Sequence, residues 1–429
     1  MTLRLRGAQF GLLTDAVRSL RRREKTKEGA ISPLQAVCTA LGGTMGTGNI
    51  AGVAGAIALG GPGAAVWMCI AALAGMAVKY AEVMLAVRYR QRNAQGEWAG
   101  GPMYIMERGL GKRFIPLARV FCLFGMLTSL GVGNAAQVNT LAGSLCAMTA
   151  AEYALPIRCT AGAAAALAAY GMLRGGMKRV AGLTERLLPW VSAVYAVSML
   201  CVIAGNIRRV PAAFLQMLQG AFTPQALSGA VTGISLRQAV RVGIARGVFT
   251  HEAGMGSSPI AHAAAQCDSP VRQGALGALE VAVDTLFFCM LTALGILCSG
   301  CDIPYGFSAG AEVTADALAT VFGLRTAQMI LSVSLFFFAL STLAAWSFYG
   351  LRCAQYLGGR GTECVYRGCF AGAALLGAVL DADGVWRVSE RMNLMMTLPN
   401  LLCLLLLSGE VRRETRKYFQ NRKMRKKAE

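Results

Sequence analysis

Gly42-Gly43-Thr44-Met45-Gly46-Thr47-Gly48-Asn49 and Glu252-Ala253-Gly254-Met255-Gly256-Ser257-Ser258-Pro259 are two glycine-rich stretches that interrupt long apolar runs. Each contains a Met-Gly pair followed by a hydroxyl residue. Glycine has no Cβ and tolerates unusual backbone dihedrals, so each stretch is expected to unwind a helix locally. Two interrupted hydrophobic segments at matching positions of two halves of a chain indicate a transporter with its site at the breaks.

The composition around these stretches is typical of a protein that crosses the membrane many times. Of the 429 residues, 55% are hydrophobic and 15% are charged, whereas about a quarter of the residues in soluble domains are charged. Residues 31–78 contain no Asp, Glu, Lys or Arg. One membrane span needs roughly 20 apolar residues, so this run alone is long enough for two spans.

Span length divides the chain into ten predicted transmembrane helices. They cover 32–59, 63–87, 116–149, 158–173, 187–207, 235–264, 272–298, 326–350, 364–380 and 390–408. The predicted connections include a loop at 93–115, a basic loop with Lys178, Arg179 and Arg186, an irregular loop at 208–234, and a loop at 302–324 with a short helix at 310–322. The first and sixth helices are the glycine-broken ones.

The two broken helices lie five spans apart, and an odd number of spans per half gives the halves opposite orientations. This predicts a transmembrane domain at 31–409 with inverted repeats at about 31–207 and 235–408. A basic cytoplasmic N-terminal segment (1–30) precedes it and a basic cytoplasmic tail (410–429) follows it.

The net charge of +20 comes from short basic segments beside the apolar runs. If the N-terminus is cytoplasmic, 33 of the 42 Lys and Arg residues lie on or near the inner side. An excess of Lys and Arg is typical of cytoplasmic loops. The pattern therefore predicts a multi-pass protein of the plasma (inner) membrane with both termini in the cytoplasm. It favours the lipid bilayer over nucleic acid as the partner of the basic surface, and it leaves the oligomeric state open.

Unwinding a helix inside the membrane frees backbone N–H and C=O groups, which is costly unless the break faces protein or water. N–H groups at the start of a half-helix can hold a carboxylate. Freed carbonyls, with Ser or Thr oxygens, suit a hard cation such as sodium. The two breaks thus predict an amino-acid zwitterion and a sodium ion as ligands. The alternative is that these glycines only allow close helix packing.

Five motifs resemble the alanine/glycine:cation symporter family. They are Gly46-Thr47-Gly48-Asn49-Ile50-Ala51-Gly52-Val53, Gly100-Gly101-Pro102-Met103-Tyr104, the run from Arg246 to Ala263, Trp346-Ser347-Phe348-Tyr349-Gly350 and Pro399-Asn400-Leu401. The resemblance covers about residues 30–409, and Phe249–Ala263 is its most specific part. It implies an all-α, leucine-transporter-like inverted-repeat fold of the amino acid–polyamine–cation superfamily. It also implies sodium-coupled (less often proton-coupled) uptake of alanine or glycine.

The resemblance also implies which residues bind the ligands. The carboxylate-holding loop maps onto Gly46, Thr47 and Gly48, with Asn49 beside it. Polar or pocket-lining roles map onto Gln137 of the third helix, Phe249, Gly254 and Met255 of the sixth, and Trp346 of the eighth. Sodium is expected at the backbone carbonyls of Gly42 and Met45 and the hydroxyls of Ser341 and Thr342. Two departures stand out: family members usually begin with one more apolar helix, and they often carry Asn where His251 stands.

Several charged residues inside predicted spans leave alternatives open. His251 is either a neutral, hydrogen-bonded side chain or a pH-sensitive group, and Glu252 is either a proton carrier or a partner for unwound backbone. Glu280 and Asp284 either line an inner water path or pair with a basic residue. The three arginines of the sixth segment either line an outer vestibule or pair with acids: Arg237, Arg241 and Arg246.

Two other classes of protein fit the sequence less well. An intramembrane enzyme needs a catalytic set, and the chain has two histidines and no motif with metal-ligand spacing. A receptor or scaffold does not need two broken helices. The sequence therefore predicts transport without covalent chemistry.

Overall fold

The structure is a computed structural model that describes residues 1–20, 29–93, 96–146, 151–223 and 234–428. The described residues are mainly helical. In chain order the α-helices are α1 (Thr2–Leu5), α2 (Ala8–Leu20), α3 (Pro33–Thr44), α4 (Val53–Gly60), α5 (Gly63–Arg88), α6 (Pro102–Tyr104), α7 (Ile115–Leu130), α8 (Ala136–Cys146), α9 (Ala154–Gly205), α10 (Val210–Phe222), α11 (Leu236–His251), α12 (Pro259–His262), α13 (Pro270–Val281), α14 (Met290–Ser299), α15 (Ala311–Phe322), α16 (Leu324–Val379) and α17 (Ala382–Ala428).

Shorter elements join these helices. The π-helical turns are Gly48–Gly52, Ile105–Gly109, Gly131–Ala135 and Ala282–Cys289, and the 3₁₀ turns are Lys112–Phe114, Ala151–Tyr153 and Ile207–Arg209. A small antiparallel hairpin pairs β1 (Gln91–Arg92) with β2 (Trp98–Ala99), in the register Gln91 opposite Ala99. Several π turns therefore interrupt membrane-crossing helices, which is where such turns often mark functional sites.

Ten segments cross the membrane among the described residues, as predicted. Six helices are long and apolar enough to span a bilayer. Two of them, α9 and α16, each contain two spans that meet at a glycine kink, and the broken segments α3–α4 and α11–α12 complete the set. The predicted residues 147–149 of the third span lie outside the described residues.

Three predicted boundaries are wrong. The basic stretch after residue 173 is helical rather than a loop, because α9 turns at one residue, Gly176, whose φ is 61°. Lys and Arg are good helix formers, so the charges there mark a polar environment and not the end of a helix. The same geometry recurs in α16, where Gly359 has a φ of 64°.

The predicted irregular loop at 208–234 contains helix α10. Trp67 Nε1 of α5 donates a hydrogen bond to the Ala221 carbonyl of this helix at 3.1 Å. Residues 224–233 lie outside the described residues. The tenth helix continues through the basic tail to Ala428. The short helix predicted at 310–322 is confirmed as α15.

The chain termini lie on one side of the membrane domain. Arg422 near the C-terminus donates to Asp15 of α2 at 2.5 Å, and Arg4 of α1 bonds to Ser408 of α17. The opposite side, called the far side below, carries the end of α4, the helix α10 and the start of α11. Helix α3–α4 therefore runs from the terminal side to the far side.

Candidate functional site

The first broken segment opens at Met45. Helix α3 starts with a capping box at Ser32 and Gln35 and ends at Thr44, after which Met45 takes an extended conformation (φ −73°, ψ 112°). A π turn then begins at Gly48. The Gly46 N–H donates to the side-chain oxygen of Asn49 at 3.1 Å. The break thus exposes carbonyls on one side and turns an N–H toward its own loop.

The predicted sodium ligands lie together at this break. The hydroxyl of Thr342 on α16 bonds to the carbonyls of Gly42 (3.0 Å) and Met45 (3.5 Å), and also to Phe338 O at 3.0 Å in its own helix. A Cβ added to Gly42 would lie 3.5 Å from the Ser341 Cβ. The Ser341 hydroxyl itself donates to Phe337 O at 3.0 Å. Three oxygens from two elements therefore converge, with Ser341 directly beside them.

The predicted substrate contacts Gly46 and Gln137 face each other next to these oxygens. A Cβ added to Gly46 would lie 3.1 Å from Thr342 Oγ1 and 3.7 Å from Gln137 Oε1. Gln137 is 4% exposed, and its Nε2 donates to Val132 O at 3.1 Å. Its Oε1 is buried and has no hydrogen-bond partner in the described part of the chain. An unsatisfied buried acceptor costs about 1–3 kcal/mol, so this atom is suited to a ligand donor.

Trp346 closes the same region from α16. Its Nε1 donates to Gly43 O at 3.3 Å, and its ring meets Tyr349 edge-on, with centroids 5.6 Å apart. The ring also lies against the π turn of the third span, because a Cβ added to Gly133 would lie 2.3 Å from Trp346 Cβ. Only glycine fits at position 133, and sequence reasoning missed this partner of the predicted cap.

Thr47, Gly48 and Asn49 connect the first break to neighbouring helices. Thr47 is 4% exposed at the start of the π turn. A Cβ added to Gly48 would lie 3.6 Å from the Thr250 methyl group of α11. Asn49 Nδ2 donates to both the backbone and a carboxylate oxygen of Asp284, at 3.0 and 2.9 Å. The first break is thereby tied to both α11 and the π turn of the seventh span.

The second broken segment begins at Glu252, which ends α11 in a left-handed conformation with φ 53°. This region is unfavourable for a residue with a Cβ and is normally taken by glycine at helix ends. The side chain of Glu252 accepts a hydrogen bond from Ser257 on the other side of the break, at 2.5 Å. Gly254 and Gly256 have φ of 98° and 82°. Glu252 therefore bridges the break with its own carboxylate.

A buried lysine also joins the two halves of this break. Lys79 of α5 is 0% exposed, and its Nζ donates to Glu252 O (3.2 Å) and to Ser258 Oγ (2.9 Å). It forms an ion pair with Glu280 of α13 at 3.5 Å. Glu280 Oε2 lies 3.3 Å from His262 Nε2. Of the two seventh-span acids, Glu280 thus pairs with a basic residue, whereas Asp284 contacts Asn49.

Asn400 of α17 holds the middle of the second break. Its Nδ2 donates to Gly254 O (2.7 Å) and to a carboxylate oxygen of Glu82 (2.5 Å). A Cβ added to Gly254 would lie 3.0 Å from Leu401. Sequence reasoning assigned no role to Lys79, Glu82 or Asn400. The available signal was two charges inside the predicted span 63–87, because ionisable residues within a span are functional candidates.

His251 lies at the end of α11, packed against Gly75 of α5. Its Nδ1 accepts from the Ala253 N–H at 3.0 Å, so that nitrogen carries no proton. A Cβ added to Gly75 would lie 2.7 Å from the imidazole Cε1. The contacts agree with the neutral, hydrogen-bonded alternative for His251.

The predicted pocket residues Phe249 and Met255 line one pocket together. They lie at the floor of a pocket of about 780 Å³ between α11 and α17 that opens on the far side. Phe249 also packs against Trp386, with ring centroids 6.0 Å apart. Arg237, Arg241 and Arg246 line the same pocket, which agrees with the vestibule predicted for them. Arg246 pairs with Glu390 at 3.7 Å.

Comparison with known proteins gives the fold and family. The crystal structure of MhsT in complex with L-phenylalanine matches with a TM-score of 0.59 over 89% of this chain and 90% of that chain, at 14% identity. Mhp1, a nucleobase-cation-symport-1 family transporter, matches with a TM-score of 0.50 over 86% of this chain and 75% of that chain, at 13% identity. These likenesses show the leucine-transporter fold, an all-α membrane architecture.

Two relatives are similar along nearly their whole length. The sodium/alanine symporter AgcS of Methanococcus maripaludis is 39% identical over 99% of this chain and 92% of its own. The probable sodium/glutamine symporter GlnT of Bacillus subtilis is 34% identical over 98% and 86%. The model of the sodium:alanine symporter family matches residues 1–429. The chain is therefore a membrane transporter, not an enzyme, and it belongs to the sodium:alanine symporter family.

Proposed function

We propose that this protein carries alanine or glycine into the cell together with sodium by alternating access. The observation that carries the proposal is the convergence of Thr342 Oγ1 on the carbonyls of Gly42 and Met45, at 3.0 and 3.5 Å. Oxygen atoms without a formal charge suit a monovalent hard cation, because a site rich in carboxylates is typical of divalent ions. The resemblance to AgcS supports the same ligand pair.

The amino acid would bind directly above the ion, with its carboxylate toward Gly46, Thr47 and Gly48. Gln137 Oε1 has no partner among the residues that the structure describes, and it faces Gly46, so it would accept a hydrogen bond from the substrate ammonium. Trp346 packs tightly on Gly133 and would limit the size of the side chain. A small pocket of this kind favours alanine and glycine over bulky amino acids.

We further propose that both termini lie in the cytoplasm, because most Lys and Arg residues then face inward. The far side is extracellular in this orientation. The inverted repeats are proposed at about 31–207 and 235–408, so each repeat supplies one of the two broken segments. Alternating access would move these segments together against the remaining spans.

The test is uptake of radiolabelled alanine and glycine into proteoliposomes under an inward sodium gradient. The expected result is accumulation that stops when sodium is replaced by choline. If accumulation instead follows an inward proton gradient in the absence of sodium, coupling is to protons and the ion assignment is wrong. If neither gradient drives uptake of alanine or glycine, the substrate assignment is wrong.

The ion site has its own matched variants. Thr342→Ala removes the oxygen that meets both carbonyls, and we expect the sodium concentration for half-maximal uptake to rise at least about tenfold, as for loss of one good polar contact. Thr342→Ser keeps the oxygen and should stay close to wild type. Ser334→Ala on the same helix removes a buried hydroxyl without a partner among the described residues and serves as the control. An unchanged sodium requirement in Thr342→Ala would remove that residue from the ion site.

A further inference from the structure

The far-side pocket between α11 and α17 is rich in positive charge. Its lining includes Arg237, Arg241 and Arg246 and one acid, Glu390. Arg246 pairs with Glu390, whereas Arg237 and Arg241 form no ion pair within the described residues. The far side is otherwise poor in basic residues, since only six of the other Lys and Arg residues fall on it. The enrichment of Lys and Arg in cytoplasmic loops therefore does not explain why three arginines lie together in this pocket.

The position of these arginines on α11 is unfavourable for the helix itself. Arg237 lies in the first turn of α11, where the helix dipole is positive and disfavours cations, and Arg241 lies in the second turn. They are also four residues apart, and like charges at that spacing repel each other on a helix surface. The first turn contains no acidic residue to offset them. Local helix stability therefore does not explain the two arginines, whereas an anionic ligand would.

The same pocket offers an acceptor for a positive group. Asn393 of α17 lines the pocket and is 6% exposed. Its Oδ1 is buried and has no hydrogen-bond partner in the described part of the chain. Leaving such an atom unsatisfied costs free energy. Together with the carboxylate of Glu390, it gives the pocket one site for an ammonium group opposite the arginines.

The floor of the pocket adjoins the central site. Phe249 and Met255 form it, and the residue after Phe249 is Thr250, which contacts Gly48 of the first break. Apolar side chains of Val242 and Leu394 also line the walls. A ligand in this pocket thus contacts α11 directly and is one layer of side chains away from the first break.

We propose that this pocket is a reception site for zwitterionic α-amino acids, where Arg237 and Arg241 hold the carboxylate and Asn393 and Glu390 hold the ammonium. The site takes the amino acid before it passes Phe249 to the central site. This inference rests on the proposed function for the direction of travel. Charge-assisted hydrogen bonds to both ends of a zwitterion are stronger than neutral ones, so the pocket should hold the amino acid beside the central site and lower the substrate concentration needed for transport.

The first arm of the test measures uptake kinetics of Arg237→Gln/Arg241→Gln at constant sodium and increasing choline chloride. We expect KM for alanine to rise roughly five- to tenfold, with a much smaller change in the maximal rate, which is the size expected for the loss of a partly exposed hydrogen bond to the carboxylate. The salt dependence of KM should also weaken, because salt screens such charges. Arg325→Gln on the far side, outside the pocket, is the matched control.

The second arm measures equilibrium binding of radiolabelled alanine in Thr342→Ala protein without sodium, where the central site is disabled. Weak binding that disappears in Arg237→Gln/Arg241→Gln and is retained in Arg325→Gln supports the reception site even if sodium does not drive uptake. Sodium-driven uptake with an unchanged KM in the double variant overturns the reception site and leaves the proposed function standing. An equal rise of KM in Arg325→Gln also overturns it.

Discussion

The two broken segments look alike in sequence but are held in different ways. At the first break, the groups that meet the freed carbonyls are the neutral side chains of Thr342 and Trp346, and Gln137 Oε1 nearby has no partner among the described residues. At the second break, Lys79 and Asn400 donate to backbone carbonyls, and the carboxylate of Glu252 accepts from Ser257. The first break is therefore lined by neutral groups that suit a ligand. The backbone of the second break is instead held by charged and amide side chains, although Asn400 Oδ1 and His251 Nε2 there also lack partners among the described residues.

This difference explains how one fold can unwind two helices inside a membrane. Freed backbone groups need partners there, and a ligand site must leave some of them for the ligand. The second break avoids that conflict by using side chains from two other helices, Lys79 of α5 and Asn400 of α17, which makes it a fixed joint next to the ligand site. The following predictions test whether the two breaks are divided in this way.

The largest effect is expected from Lys79→Met. It removes the ammonium from the second break and leaves Glu280 without its ion-pair partner at 3.5 Å. Removing one partner of a buried ion pair lowers the free energy of unfolding by about 3–5 kcal/mol. Thermal unfolding in detergent should therefore show a large loss of stability. The double variant Lys79→Met/Glu280→Gln should recover part of it, because the remaining charge is removed. A stable Lys79→Met protein that has lost only transport would mean that the second break binds ligand.

A smaller loss is expected from Gly133→Ala, which tests the wall of the first break. The added Cβ would lie 2.3 Å from Trp346 Cβ, and overpacking of this kind costs about 1–3 kcal/mol. The displaced Trp346 should release Gly43 O and raise KM for alanine. Gly143→Ala in the same span is the control, since no atom of the described residues lies within 4 Å of its added Cβ. Equal behaviour of the two variants would show that Trp346 does not shape the site.

Gln137→Leu and Gln273→Leu should differ in their effect on stability. Gln137 has an unsatisfied Oε1 at the first break, whereas Gln273 Nε2 is 2.8 Å from His262 Nδ1 near the second. Removing an unsatisfied buried acceptor relieves a cost, but removing one partner of a satisfied pair creates one of about 1–3 kcal/mol. We expect Gln137→Leu to keep its thermal stability and to need about tenfold more alanine. Gln273→Leu should lose stability. A destabilised Gln137→Leu with normal KM would contradict the comparison.

The positions of the breaks could be predicted from the sequence, since clusters of glycine act locally. The kinks of α9 and α16 could not be predicted, because an isolated glycine such as Gly176 does not interrupt the helix-forming sequence around it. The convergence of Thr342 on Gly42 came from a family resemblance and not from spacing. Lys79 and Glu82 were visible as charges within a span. Their partners Glu280 and Asn400 lie on helices far away in the sequence, and a local sequence pattern does not predict such long-range contacts.

The smallest effect is expected from Arg88→Gln, which is the control on the same helix for Lys79. Both residues are basic, both lie on α5, and both pair with glutamates. The Arg88 side chain is 35% exposed, however, whereas Lys79 is fully buried. Exposed ion pairs contribute about 0–1 kcal/mol, so the unfolding temperature of Arg88→Gln should stay near that of the wild type.

Salt sharpens this last contrast. Raising the ionic strength screens exposed charges far more than buried ones. The small effect of Arg88→Gln should therefore shrink further in unfolding measurements at high salt, while the loss in Lys79→Met persists. If the Lys79 variant also became harmless at high salt, its ammonium would have to be reached by solvent. The second break would then be open, like the first, rather than a closed joint.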